Sequence, residues 1–136
     1  MKRIAFTSAG AVLGSIMVSA SPALAGTSFQ SFVGIGGVQS TTITQSSNTN
    51  VAGIFEVGTT TSATVTQTGT NNYTGILQFG ATNTTLIGQA GANNLALVGQ
   101  AGAATSATLS QLGQLNTGAI SQFGLSNSSS VTQKGP

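Results

Sequence analysis

Residues 65–80 read VTQTGTNNYTGILQFG and contain Q-x-G twice, at Gln67–Gly69 and Gln78–Gly80. The pair returns every eleven residues, at Gln89–Gly91, Gln100–Gly102, Gln111–Gly113, Gln122–Gly124 and Gln133–Gly135. A repeat this regular decides the architecture before any other feature. Carried backwards, the frame puts Glu56, Gln45 and Gly34 in the glutamine position, giving ten units with Gln in eight. Two residues later comes Gly in nine of ten, Gly58 included, with Ser47 the exception.

Three further positions are as regular. Two residues before the glutamine stand Phe32, Ile43, Ile54, Val65, Ile76, Ile87, Val98, Leu109, Ile120 and Val131. Five residues after it stand Asn50, Asn72, Asn83, Asn94, Asn116 and Asn127, with Gln39, Thr61 and Thr105 in other units. Four residues before it the side chains are mostly small, among them Ala52, Ala63, Thr74, Thr85, Ala96, Ala107, Gly118 and Ser129. The four positions are two residues apart, so on a strand all point to one face. A helix would scatter them, and the Gly and Thr content opposes one. Each unit therefore reads as one strand of about seven residues and a short turn. The glycine is expected to supply the positive φ of that turn.

Two strands and two turns close a coil of 22 residues, and SATVTQTG at 62–69 resembles SATLSQLG at 106–113, two coils later. The fold expected is an all-β, amyloid-like β-solenoid of about five two-strand coils. Stacked at about 4.8 Å, equivalent residues touch their own kind. A glutamine in a dry interior is costly unless its amide is hydrogen-bonded. A column of glutamines supplies that bond, each N–H reaching the next C=O, and asparagine columns do the same. The alternative is an ordinary soluble solenoid with these polar residues on its surface.

The chain opens with MKR, an apolar run and SPALA, the pattern of a secretory signal peptide cleaved between Ala25 and Gly26. Residues 1–25 are thus expected to be removed. A short segment, 26–33, would run into the first coil, and 34–136 would form the repeat domain. Glu56 and Lys134 are the only charged side chains of the mature chain. So small a charge offers no footprint for nucleic acid and favours self-association. There is no Cys to form a disulfide. With no His, Cys or Asp and one Glu, acid–base, nucleophilic and metal chemistry lack their groups. No enzyme, cofactor or metal site is expected.

The spacing Q-x-G-x-x-N-x-A-x-x-x-Q resembles the curlin repeat of bacterial curli fibre subunits. Gln89, Gly91, Asn94, Ala96 and Gln100 match it position for position, and Gln67, Gly69, Asn72 and Gln78 match with Thr74 in the small position. The resemblance implies export through an outer-membrane pore of a Gram-negative bacterium and assembly into extracellular amyloid for biofilm matrix and adhesion. It also implies a nucleator as partner. VTQTG, SQFG and VTQKG are similar to major-subunit phrases, and IGQAGANN to nucleator sequence. The family's longer Gly-rich leader and its charged gatekeepers are missing. Glu56 either faces inward and interrupts its column or is hydrated near the end of the stack.

Two other functions remain open. Thr42/Thr44, Thr64/Thr66, Leu86/Gly88, Thr108/Ser110 and Ser130/Thr132 form a T-x-T-like face resembling that of ice-binding solenoids, although Thr also suits any solvated strand. A soluble adhesin would need protected end strands, and no cap pattern is visible. The outward Tyr73, Leu77, Phe79, Leu95, Leu97, Leu112 and Phe123 fit lateral fibre contacts or attachment to hydrophobic surfaces.

Overall fold

The structure, a computed structural model, describes residues 4–8, 16–21, 28–46 and 49–136. Its strands are β1 (Ile4–Ser8), β2 (Ile16–Ser21), β3 (Ser28–Ser46), β4 (Val51–Thr70), β5 (Tyr73–Ala92), β6 (Leu95–Gln114) and β7 (Thr117–Lys134). The long strands stack in the order β3-β4-β5-β6-β7, all parallel, and each residue pairs with the one 22 positions on: Ile54 with Ile76, Gln67 with Gln89, Val98 with Ile120. This is the expected β-solenoid, five coils deep.

The strands are longer than expected. A coil is one strand of 18–20 residues, not two of about seven. The corner after Gln78 does not break the ladder, because backbone stacked on backbone keeps its hydrogen bonds around a bend. Between β4 and β5 the pairing omits only Thr59 and Ala81. The other corner does break it, at Asn71 and Asn93, which adopt φ of 56° and 57°. Asparagine tolerates that left-handed conformation better than most residues. Leu115 repeats it at 58° without that tolerance.

Each coil folds into two facing walls. The first carries Phe32, Ile54, Ile76, Val98 and Ile120 inward; the second carries Ile43, Val65, Ile87 and Leu109, with the half-buried Val131 packed against them. Alternation along each strand is regular, with every second residue of Ala52–Glu56 and of Thr61–Gln67 buried. In the last coil Asn127, Val131 and Gln133 hold the expected inward positions but are only half-buried, since no layer covers them. β1 and β2 pair in parallel with β3, against Ser28–Phe32 and Gln39–Thr44. They lie within the segment read as a signal peptide; its cleavage site, Ala25–Gly26, falls outside the described residues.

The role of the turn glycines needs correction. Gly69 and Gly80 have positive φ (101° and 135°), as expected, whereas Gly58, Gly102 and Gly135 do not. The reason common to Gly58, Gly69, Gly80 and Gly102 is close stacking: a Cβ on any of them would collide with the carbonyl oxygen of the glycine one layer on. Gly99, on an outer wall, has nothing within 4 Å of its would-be Cβ. Gly80→Ala should therefore destabilise the fold by about 1–3 kcal/mol, while Gly99→Ala should be neutral or stabilising by about 0.5 kcal/mol. Denaturant titration followed by circular dichroism checks the contrast, and equal losses would contradict it.

Candidate functional site: the stacked amide columns

The residues expected to carry assembly come together as continuous columns inside the solenoid. On the second wall, Gln45 Nε2 donates to Gln67 Oε1 at 2.6 Å, Gln67 to Gln89 at 2.8 Å, Gln89 to Gln111 at 2.8 Å and Gln111 to Gln133 at 2.7 Å. On the first wall, Gln78 donates to Gln100 at 2.8 Å and Gln100 to Gln122 at 2.9 Å. Every bond runs the same way, from each layer to the next. Six of these side chains, Gln45, Gln67, Gln78, Gln89, Gln100 and Gln111, are at most 2% exposed, so the bonds offset a desolvation cost that water cannot relieve.

The amide Nε2 has a second hydrogen, and it is used as well. Gln67, Gln89 and Gln111 donate across the interior to the backbone carbonyls of Val51, Tyr73 and Leu95, at 3.1, 3.0 and 2.9 Å. Each glutamine therefore ties its layer both to the next layer and to the opposite wall. Only an unbranched primary amide of this length does both.

Residues 69–102 and 105–135 match the sequence model of a family described as curlin-associated repeat. The chain carries curlin-associated repeats. Comparison with curated proteins and with solved structures returns no match. The matched curlin repeats begin at Gly69, yet β3 and β4 stack in the same 22-residue register, so the geometry continues N-terminal to them.

Several residues that hold the curlin columns together were not singled out by the sequence. Thr74 and Thr85, read only as small, are cross-links. Thr74 Oγ1 accepts from Gln67 at 3.1 Å and donates to Gln89 at 2.9 Å; Thr85 Oγ1 accepts from Gln78 at 2.6 Å and donates to Gln100 at 2.8 Å. Gln30, in the position otherwise reserved for small residues, donates to Gln45 Oε1 at 3.1 Å. The clue was that Thr alternates with Ala at a buried position, where a hydroxyl requires a partner.

The asparagines divide into two columns. Asn50, Asn72, Asn94 and Asn116 form a ladder: the backbone N–H groups of Asn72 and Asn116 each donate at 3.1 Å to the Oδ1 one layer back, and Asn94 Nδ2 donates to Asn72 Oδ1 at 3.1 Å. Their Nδ2 groups also reach across the corner, Asn72 to Thr68 O at 3.1 Å. Asn116 is only half-buried. Asn83 and Asn127 belong to the other column, with Gln39, Thr61 and Thr105. Thr105 donates to Asn83 Oδ1, but the Nδ2 groups of Asn83 and Asn127 have no partner. The expectation that all six asparagines ladder alike is therefore corrected. Interleaved threonine hydroxyls are too short to carry the amide-to-amide bond.

Glu56 faces inward and is fully buried in the first-wall column, between Gly34 and Gln78. Thr61 Oγ1 donates to its Oε2 at 2.7 Å, but its Oε1 has no partner, and neither has Gln78 Oε1. Two orphan acceptors thus stand in adjacent layers, whereas Gln78 and Gln100 each donate to the glutamine of the next layer. A proton on the Glu56 carboxyl would supply a donor to this acceptor-rich part of the column. Burial pushes the Glu56 carboxyl above its ordinary range, against the lowering effect of the Thr61 hydroxyl. The described residues facing it from β3 and β5 include no other titratable side chain.

The outer surface is sorted by wall. Tyr73, Leu77, Phe79, Leu95, Leu97 and Phe123 all lie on the first wall; Leu112 lies on the second. The second wall carries the Thr and Ser pairs, interrupted at Leu86, which is 47% exposed.

Two predictions follow from this geometry. Gln67→Ala or Gln89→Ala should lower stability by about 1–3 kcal/mol through the donors and acceptors left unpaired, while Thr68→Ala on the exposed side should change little. Denaturant titration separates these outcomes. For Glu56, the folded layer keeps its proton to a higher pH than the unfolded chain does. Stability should therefore be greatest below the ordinary carboxylate range. It should fall as pH rises through the interval up to the raised folded pKa, and then level off. Glu56→Gln should remove most of that dependence and add about 1–3 kcal/mol at neutral pH; stability measured from acid to neutral pH would reveal a flat wild-type profile if the assignment were wrong.

Proposed function

We propose that this chain is a secreted structural subunit whose activity is its own assembly into an extracellular, curli-like amyloid fibre serving biofilm matrix and surface adhesion. The observation that carries the reading is the one-directional amide ladder. Gln133 Nε2 bonds Thr117 O at 2.7 Å but meets no further glutamine among the described residues, and β7 pairs only with β6. An incoming chain stacked on β7 would place Gln45 over Gln133, Ile43 over Val131 and Thr41 over Ser129, the same column types continued in the same polarity. Unpaired backbone at such an edge templates further pairing. Release of residues 1–25 would free the edge of β3 that β1 and β2 cover in the full-length chain. Growth is then templated addition, with no catalysis, cofactor, metal or nucleic acid involved.

Within this reading the chain is the major subunit rather than the nucleator, exported to the cell surface of a Gram-negative bacterium through an outer-membrane pore and started by a separate nucleator. The sequence phrases VTQTG, SQFG and VTQKG support that preference. The test is to dilute denatured Gly26–Pro136 into neutral buffer and follow thioflavin fluorescence, with fibre diffraction of the product. A lag, then growth shortened by preformed seeds, with reflections near 4.7–4.8 Å and about 10 Å, is the expected result. A stable soluble monomer would refute the proposal.

A further inference from the structure

The first wall's outer face carries four rows of side chains, one residue of each row per coil. The two outermost rows are Phe29, Val51, Tyr73, Leu95 and Thr117, and Ile35, Val57, Phe79, Ala101 and Phe123. Between them run Ser31, Gly53, Gly75, Leu97 and Ala119, and beside these Val33, Phe55, Leu77, Gly99 and Ser121. The central pair of rows makes an open groove. In the coils of β4 and β5 the glycines lie in one central row and the large residues in the other; in β6 the two are exchanged.

These glycines have no reason inside the monomer. Nothing lies within 4 Å of a Cβ built on Gly53 or Gly99, and neither has positive φ. Gly75 is open except for Leu97 Cδ2, at 3.0 Å from such a Cβ. Glycine weakens a strand interior and characteristically marks close approach by something else. The approaching group is set by the pattern. Turning a second copy about a two-fold axis parallel to the stack, between the central rows, exchanges those rows while keeping each coil at its own height. Phe55 then faces the partner's Gly53, Leu77 the partner's Gly75 and Leu97 the partner's Gly99. The outer rows match as well, Tyr73 with the partner's Phe79 and Val51 with the partner's Val57. A shift of one coil destroys the fit, setting Leu77 against the partner's Leu97 and leaving Gly75 opposite the partner's Gly99.

We propose that the first wall is a self-complementary zipper through which two solenoid stacks pair face to face, in register, into a double filament. The proposal rests on the assembly reading above and adds the second partner surface. Size explains when pairing occurs. Five layers at about 4.8 Å by seven residues at about 3.3 Å give a face of roughly 550 Å² per chain. Two such faces bury about 1,100 Å², just below the range of stable interfaces. A pair of monomers is therefore weak, whereas stacks of many chains multiply the area. Pairing follows elongation.

Mass per length from scanning transmission electron microscopy tests it, because one chain occupies about 24 Å of stack. Wild-type fibres should contain two chains per layer-set. Gly99→Leu, which fills the hole opposite Leu97, should halve the mass per length without abolishing fibres. Exchanging the two residues, Leu97→Gly with Gly99→Leu, should restore pairing because knob and hole move together. Gly88 is equally open but lies on the second wall, so Gly88→Leu should leave fibres paired. Single wild-type filaments, a paired Gly99→Leu fibre or an unpaired double exchange would each overturn the zipper. A wild-type chain that forms no fibres would overturn the assembly reading and this proposal with it.

Discussion

The structure depends on one translation: 22 residues along the chain must equal one layer, about 4.8 Å, along the stack. Side chains alternate faces with a period of two, so a slip of a single residue would turn every buried amide outward and every outer Thr inward. A hydrophobic core alone would tolerate local repacking. An amide column does not, because each Nε2 finds its acceptor only if the next layer presents a glutamine at the same place. Hydrogen-bond satisfaction, rather than apolar burial, fixes the repeat length.

That constraint also gives the stack a direction. All six glutamine-to-glutamine bonds between layers run from lower to higher residue number, so each column starts on an amide oxygen with no glutamine layer before it and ends on an amide nitrogen with none after it. The two columns are not equivalent. The second-wall column has glutamine in every layer, while the first-wall column begins with Gly34 and Glu56. In a stack of chains the second-wall column would run through the junction, and the first-wall column would be interrupted once per chain. The orphan oxygens of Glu56 and Gln78 mark that interruption.

Much of this was legible in the sequence because the stack turns every contact between layers into a periodicity. The solenoid, the inward positions from Ile43 to Val131, the Gln columns and the 22-residue coil could all be read from spacing. What spacing does not encode is what crosses the interior. That Thr74 bridges Gln67 to Gln89, or that Gln30 reaches Gln45, depends on the phase between the two walls, which the repeat leaves free. The orientation of Glu56 was undecided for a related reason: an acid in an amide position fits the pattern and violates its chemistry. The glycine turns were placed correctly and partly misexplained, since Gly58 and Gly102 answer to the carbonyl above them rather than to φ. Strand length was misjudged because a parallel ladder can follow a corner that a lone strand could not.

Inside and outside obey different rules. An interior residue must satisfy the layer above and below, so identity repeats from coil to coil. An outward residue has no such neighbour requirement, and it varies from coil to coil: Gly53, Gly75, Leu97 and Ala119 share one row. Random variation on a solvated face would favour Thr and Ser, as the second wall largely has them. In the three middle coils of the first wall the variation is apolar, and Phe55, Leu77 and Leu97 each stand beside a glycine at the same level rather than beside one another. Two neighbouring rows that compensate layer by layer about a two-fold axis describe a surface shaped against itself. The interior thus specifies how coils stack, and the first wall has the shape that the proposed pairing of stacks requires.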